Sequence, residues 1–387
     1  MPPFPGGLPR ARALLAAHFG HGGFRPHQVR VLGPLLAGRD VLAVLPTGAG
    51  KSLCFQVPAL MAGGLALVVS PLISLMQDQV EALRRRGIAA AYLNSAQSAE
   101  RRRAVHDAVR RGLLRLLYCA PERLPGLVRR LSAWSIRPAL LAVDEAHCIT
   151  EWGHEFRPAY RLLGKHRYLL GRPPTVALTG SATTAAQAEI ARVLRLDDPV
   201  VVVGSFDRPN LRFTTRVVAD DRTRFAVVAD RVRADRGATI IYTPTRRLAE
   251  LITGALRLRS LRAAPYHAGL AAGIRRATLR AFLEDRLGAV VATTAFGMGI
   301  DKPDVRSVLH WGPAHRLDGY YQEAGRAGRD GGPAECLVLW RDGDLRWPGI
   351  APEMKVYLQR RACRRRMLLQ YFGESLDHCS GCDVCGV

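Results

Sequence analysis

Lysine is almost absent from this chain of 387 residues: Lys51, Lys165, Lys302 and Lys355 are all there are. Acidic residues are sparse too. Asp+Glu 33 stand against Lys+Arg 56, a formal net charge of +23 carried almost wholly by arginine. Arginine-rich codon usage accounts for Arg in place of Lys, but not for the excess over acids. A balance this basic points to a polyanionic partner, nucleic acid before a membrane surface. No apolar run approaches the roughly 18 residues that would span a bilayer. Residues 1–10 hold prolines and glycines but no charged start followed by an apolar stretch, so they are not a secretory signal. The chain is expected in the cytosol, where thiols stay reduced. Its 48% hydrophobic content excludes a disordered chain, and its length calls for two to three domains. Cys54, Cys119, Cys148 and Cys336 are scattered among apolar residues and read as small core residues.

What is present is organised around Leu45-Pro46-Thr47-Gly48-Ala49-Gly50-Lys51-Ser52. It follows a short apolar run and opens a helical stretch, Leu53 to Met61. Glycines let the loop fold tightly, so that successive N–H groups point at one anion. The helix N-terminus adds partial positive charge at the same spot. Lys51 would reach the outer phosphates of a nucleotide, and Ser52 would hold Mg²⁺. The general phosphate-loop pattern has Gly where Leu45 stands, but the TGxGKS ending is intact. Upstream, Arg25 and Gln28 can serve an adenine, Arg25 by stacking and Gln28 by hydrogen bonds.

Strands are expected at Val41–Leu45, Leu65–Ser70, Ala89–Leu93, Leu114–Cys119, Leu140–Asp144, Thr175–Thr179 and Val200–Val203, with helices between them. This is the pattern of a parallel sheet covered on both faces. Asp144 and Glu145 end the fifth strand, suited to a metal beside phosphates and to an attacking water. Trp152, His154, Phe156 and Arg157, with Tyr160, follow; aromatic faces interleaved with arginine suit stacking on unpaired bases. Leu178–Thr183 ends a strand with hydroxyls fit for a polar relay. From about Ser205 the alternation restarts, with strands expected at Thr239–Tyr242, Ala264–Tyr266, Ala289–Thr293, Ser307–His310 and Cys336–Trp340. Arg326 and Arg329, three apart, would share a face if helical and suit a triphosphate supplied from the other domain. Near the end, Cys363 sits in a helical stretch expected over Met354 to Phe372, followed by Cys379, Cys382 and Cys385. Four thiolates at this spacing can close a tetrahedral Zn²⁺ site or hold an iron–sulfur cluster.

These motifs in this order resemble the RecQ family of DNA helicases over almost the whole chain. The resemblance rests on LPTGAGKSLCFQVPAL, SPLISLMQDQV, CAPERL, VDEAHCITEWGHEFRPAY, LTGSAT, IIYTPTR, YHAGL, ATTAFGMGIDKPDVR and YYQEAGRAGRDG. The most specific is DEAHCITEWGHEFRP, which looks like the family's aromatic-rich loop coupling DNA binding to ATP hydrolysis. The resemblance implies an α/β protein with two RecA-like domains, 1–204 and 205–342, and a helical zinc module, 343–387. It implies a 3′-to-5′ DNA helicase using ATP and Mg²⁺, acting in DNA repair or recombination on single-stranded and tailed duplex DNA, and a monomer is expected. By position, Thr47, Gly48, Ala49, Gly50, Lys51 and Ser52 would bind phosphate and Mg²⁺, with Asp144 on the metal and Glu145 on the water. Trp152, His154, Phe156 and Arg157 would belong to the coupling loop. Arg326 and Arg329 would face the γ-phosphate. ACRRRMLLQYFGE and CSGCDVC resemble the family's zinc module, which favours zinc over iron–sulfur. His21 stands where the family often has an aromatic residue near adenine. No winged helix follows Val387, so the chain is expected to be a short member or a fragment. Two other readings remain: a DEAH-type RNA remodeller, against which the aromatic loop and cysteine tail argue, and a nucleic-acid-binding scaffold with a decayed ATPase. Intact Lys51, Glu145, Arg326 and Arg329 argue against the last.

Overall fold

Short apolar runs, most of them four or five residues long, become the strands. Most are buried along their length, as strands covered on both faces must be, while the edge strands keep partly exposed positions. In the computed structural model, residues 4–46, 48–150, 157–234, 237–297 and 302–386 are described. They divide into two units, Met1–Ser205 and Phe206–Val387.

The first unit contains β1 (Val41–Val44), β2 (Ala66–Val69), β3 (Ala90–Leu93), β4 (Leu116–Cys119), β5 (Leu140–Val143), β6 (Thr175–Thr179) and β7 (Val200–Val203). Their order across the sheet is β3-β4-β2-β5-β6-β1-β7, and the ladders are parallel. Val41, Ala43, Leu140, Ala142, Val176 and Leu178 share one core with the helices around them. One polar hub lies in this interior. Asp40 pairs with Arg167 at 2.6 Å, both side chains almost wholly buried. The same carboxylate accepts from Thr175 N at 2.9 Å and Asp197 N at 2.7 Å. A buried carboxylate is tolerated only when paired and hydrogen-bonded in this way.

The second unit contains β8 (Leu211–Val217), β9 (Ala238–Tyr242), β10 (Ala263–Tyr266), β11 (Ala289–Ala292), β12 (Val305–Trp311) and β13 (Ala334–Trp340). Their order is β10-β11-β9-β12-β13-β8, again parallel throughout. The α/β class with two parallel-sheet domains is as expected. Strand β8 was not anticipated. It is an edge strand whose Arg212 and Arg216 are exposed, so LRFTTRV lacks the unbroken apolar run of its neighbours.

Two expectations about local structure are corrected. The stretch from Met354 to Phe372 is not one helix but two, Pro352–Gln359 and Arg364–Tyr371, with Cys363 capping the second. The break at residues 360–362 swings Cys363 out of the helical path. Arg326 and Arg329 are not helical either. The helix Leu317–Ala324 ends before them, and Gly328 turns the chain with φ of 54°. Among the described residues, no helix is long and apolar enough to cross a membrane.

Candidate active site

Parallel strands present their carboxyl ends along one edge of the sheet, where ligands of such folds gather. There β5, β6 and β1 are neighbours. Val44 pairs with Thr179, and Val143 with Ala177. The loop after β1, the acids after β5 and the hydroxyls after β6 therefore emerge side by side.

In the loop, Gly48 and Gly50 have φ of 82° and 76°, a region glycine enters without steric cost. Gly50 is constrained twice, since a Cβ there would lie 2.6 Å from Gln28 Nε2. Lys51 Nζ donates to Leu45 O at 3.2 Å. Ser52 precedes the helix Leu53–Met61, and its Oγ accepts from Gln79 Nε2 at 3.4 Å. The upstream segment clamps the loop. Arg25 Nη1 donates to Gly48 O at 2.7 Å, and Gln28 Nε2 donates to Gly50 O at 3.0 Å. His27 Nε2 lies 2.8 Å from Ala49 O. Holding three successive carbonyls fixes the peptide planes and so aims the loop's N–H groups. Gln28 is buried, and its Oε1 accepts from Arg25 N at 2.8 Å; one oxygen lone pair is all its amide keeps in reserve. His27 went unnoticed in the sequence, although it sits between the two residues singled out.

Asp144 is buried at the end of β5. Its Oδ1 accepts from Glu145 N at 3.1 Å, and Ser70 Oγ donates to Oδ2 at 3.4 Å. Burial, then the neighbouring Glu145, pushes its carboxyl up to about 7 in spite of Lys51. Glu145 has φ of 48° and ψ of 50°, a conformation uncommon outside glycine and concentrated at functional sites. Its Oε2 lies 3.3 Å from His147 Nδ1. That nitrogen is 2.9 Å from Thr179 Oγ1, which donates to Ser181 O at 3.1 Å. A continuous polar chain thus links the acid after β5 to the turn after β6.

Thr47, Trp152, His154 and Phe156 lie outside the described residues. Arg157 is described, with Nη1 3.6 Å from Glu122 Oε1. Tyr160, read above with the base-stacking aromatics, is instead fully buried and donates to Asp144 O at 2.9 Å. It braces the strand end and has no free face for a base.

In the second unit, Arg326 is buried and its Nε has no partner among the described residues. Arg329 is half-buried. Their turn is held by residues the sequence reading passed over. Arg208 donates to the carbonyls of Gly325, Ala327 and Gly328 at 3.3, 2.9 and 2.9 Å. Asn210 donates to Gly328 O and Gly332 O, each at 2.8 Å. The signal was the polar run Asp207–Asn210 directly before a strand.

Cys363, Cys379, Cys382 and Cys385 bring their four sulfurs within 4.8 Å of one another. Tetrahedral zinc with bonds of about 2.3 Å needs sulfurs ~3.8 Å apart, so the four fit Zn²⁺ with small side-chain adjustments. Burial raises the Cys382 thiol, but N–H groups of Cys385, Arg364 and Val384 outweigh it and bring the thiol down to about 7. The cluster is fastened to edge strand β8. Cys382 bridges to Phe213. Asp383 Oδ2 accepts from Thr215 N at 2.9 Å, and its Oδ1 accepts from Arg364 Nε at 3.0 Å. Arg365, fully buried, donates to Asp207 at 2.5 Å, to Arg208 O at 2.7 Å and to Leu211 O.

Comparison with known proteins follows the same divisions. Residues 25–191 match the DEAD/DEAH box helicase family, 224–331 the helicase conserved C-terminal domain and 351–386 the RecQ zinc-binding family. The ATP-dependent DNA helicase RecQ of Haemophilus influenzae is 40% identical over 97% of this chain and 64% of its own length. The protein of that name from Bacillus subtilis is 40% identical over 98% of this chain and 67% of its own. The chain thus spans about two thirds of the length of these relatives, and slightly less for the first. Among solved structures, the helicase MrfA bound to DNA superposes with a TM-score of 0.75 at 18% identity, covering 95% of this chain and 54% of that one. At that identity the likeness is one of fold.

Two outcomes are expected. Asp144 titrates near 3.8 when unfolded and about 7 when folded, so the folded state binds its proton more tightly. Stability of the nucleotide-free protein should therefore fall as pH rises through that window and stay low above it. Asp144→Asn removes this penalty and should stabilise the protein at pH 8 by on the order of 1–3 kcal/mol, a thermal midpoint several degrees higher. An equal or lower midpoint would contradict the buried-carboxylate account. For the cysteine cluster, metal analysis should find one zinc per chain. Cys382→Ser should lose it and lower the unfolding midpoint of the second unit, while the first unit melts as before. Full zinc retention in that variant would mean that Cys382 is not a ligand.

Proposed function

This chain belongs to the RecQ helicase family, and we propose that it is an ATP-dependent DNA helicase that translocates 3′-to-5′ on single-stranded DNA and unwinds duplex. The observation that carries this reading is the junction at three neighbouring strand ends. A glycine loop with Lys51 and Ser52, the buried Asp144 beside Glu145, and the His147–Thr179 link meet there. Two positive-φ glycines, a lysine and a hydroxyl at a helix start fit a triphosphate with its metal. Arg25 and Gln28 would lie on the adenine side.

Each residue then has a task. Loop N–H groups and Lys51 would neutralise phosphate oxygens as charge develops. Ser52 and Asp144 would hold Mg²⁺, which supplies further charge neutralisation on the phosphates. Glu145 would orient the attacking water and accept its proton. His147 and Thr179 would report the state of Glu145 to the turn after β6. Arg326 and Arg329 would meet the γ-phosphate, and the Nε of Arg326, without a partner among the described residues, is a donor suited to an anion. Trp152, His154, Phe156 and Arg157 would form the loop that senses DNA. The division proposed is 1–204 and 205–342 for the two motor domains and 343–387 for the zinc module. The arginine excess supports binding to DNA phosphates, and the family supports work in repair or recombination. An RNA remodeller is less well supported, because the zinc-binding match and the DNA helicase relatives point to DNA.

The test is strand displacement on 3′-tailed, 5′-tailed and blunt duplexes with ATP. Unwinding of the 3′-tailed substrate alone is expected. Lys51→Ala should abolish it and cut ATP turnover by at least about a hundredfold, ~2.7 kcal/mol of barrier, while single-stranded DNA still binds. Turnover near wild type in that variant, or equal unwinding of blunt duplex, would overturn the proposal.

A further inference from the structure

Tyr242 ends strand β9 and is buried. Its hydroxyl donates to Phe296 O at 2.6 Å. A phenol has one proton to give, and here it is spent on that carbonyl; the oxygen lone pairs remain for a donor. The charge that acts on the phenol most strongly is the Arg326 guanidinium. The same guanidinium lies against the turn after β11, since a Cβ on Gly297 would come within 3.4 Å of Arg326 Nη2. The phenol ring cannot drift. It stacks on His310 with centroids 5.3 Å apart and planes at 24°. His310 Nε2 in turn lies 2.9 Å from Glu323 Oε2, both side chains buried. Glu323 and Arg329 are the other charges that act on the phenol. One hydroxyl therefore ties the end of β9 to the turn after β11, against which Arg326 lies.

We propose that Tyr242 is a positioning residue for ATP hydrolysis. Its hydroxyl holds the Phe296 carbonyl and so fixes the 293–297 turn against which the Arg326 guanidinium rests, so that the arginine and the turn adopt their working arrangement together. The proposal rests on the reading of Arg326 as a partner of the γ-phosphate. Among the described residues the Nε of Arg326 has no partner, and the turn that Tyr242 holds sets where that donor points. A guanidinium displaced by about 1 Å loses most of its use in a transition state, a loss of ~100-fold in comparable cases. Phenylalanine would keep the ring, its stacking on His310 and the burial, and would lack the hydroxyl alone.

The test is a double-mutant cycle on the full chain, reading DNA-stimulated ATP turnover. Tyr242→Phe, Arg326→Ala and the double variant are compared with wild type. For each, the KM for ATP, the Kd for single-stranded DNA and the thermal midpoint are also measured. The expected result for Tyr242→Phe is a kcat at least about tenfold lower, with KM and Kd within about twofold. Its assays are run well below its midpoint, so partial unfolding does not contribute. On the Arg326→Ala background, adding Tyr242→Phe should change kcat by less than about twofold, since the group to be positioned is gone. A structural role would instead give the same fall on both backgrounds, and that additivity would overturn the proposal. So would Tyr242→Phe with wild-type kcat while Arg326→Ala is inactive, which would leave the reading of Arg326 standing. Wild-type turnover in Arg326→Ala would sink that reading and the positioning role with it.

Discussion

The register of three adjacent parallel strands is the constraint on which the candidate active site depends. β1 and β6 end level, with Val44 opposite Thr179, and β5 ends just short of them, with Val143 opposite Ala177. Because they are parallel, everything that follows them leaves the sheet on one side. The phosphate loop (45–52), the two acids (144–145) and the hydroxyl turn (179–183) come from separate segments of the chain, yet they need no further device to meet. Buried apolar strand residues hold that register. A slip of one residue would turn each of them to the other face of the sheet.

Polar groups near this edge carry costs that the fold offsets locally. Asp144 is buried beside a second carboxylate, which raises its proton affinity. Glu145 occupies a left-handed backbone conformation. Such strain survives where the surroundings over-determine it, and Tyr160 and Ser70 fix the adjoining Asp144. In the second unit arginines play the same part. Arg208 and Arg365 are structural, each spending its donors on carbonyls or a carboxylate of its own unit. Part of the chain's basic excess is thus internal scaffolding and not surface for a polyanion.

Much of this was legible in the residues. Apolar runs at regular intervals marked both sheets, because a strand buried on both faces cannot alternate. TGxGKS, the acid pair and the four cysteines were legible because their chemistry demands fixed spacings. What escaped has physical reasons as well. β8 was hidden by exposed Arg212 and Arg216 on an edge. The single helix expected over Met354 to Phe372 failed because propensity says nothing of the break that frees Cys363. Arg326 and Arg329 would share a face only in a helix, and spacing alone does not show that the helix stops at Gly325 and the chain turns at Gly328. His27, Asn210 and Tyr242 act through tertiary contacts, which no local pattern announces.

The central claim is that the junction at β1, β5 and β6 hydrolyses ATP under the control of single-stranded DNA. Steady-state ATP turnover should be measured with no nucleic acid and with single-stranded DNA, blunt duplex DNA and RNA of one length. Single-stranded DNA is expected to stimulate turnover at least about tenfold over the nucleic-acid-free rate, ~1.4 kcal/mol of barrier, and well beyond RNA or blunt duplex. A rate independent of nucleic acid, or one stimulated equally by RNA, would contradict the account.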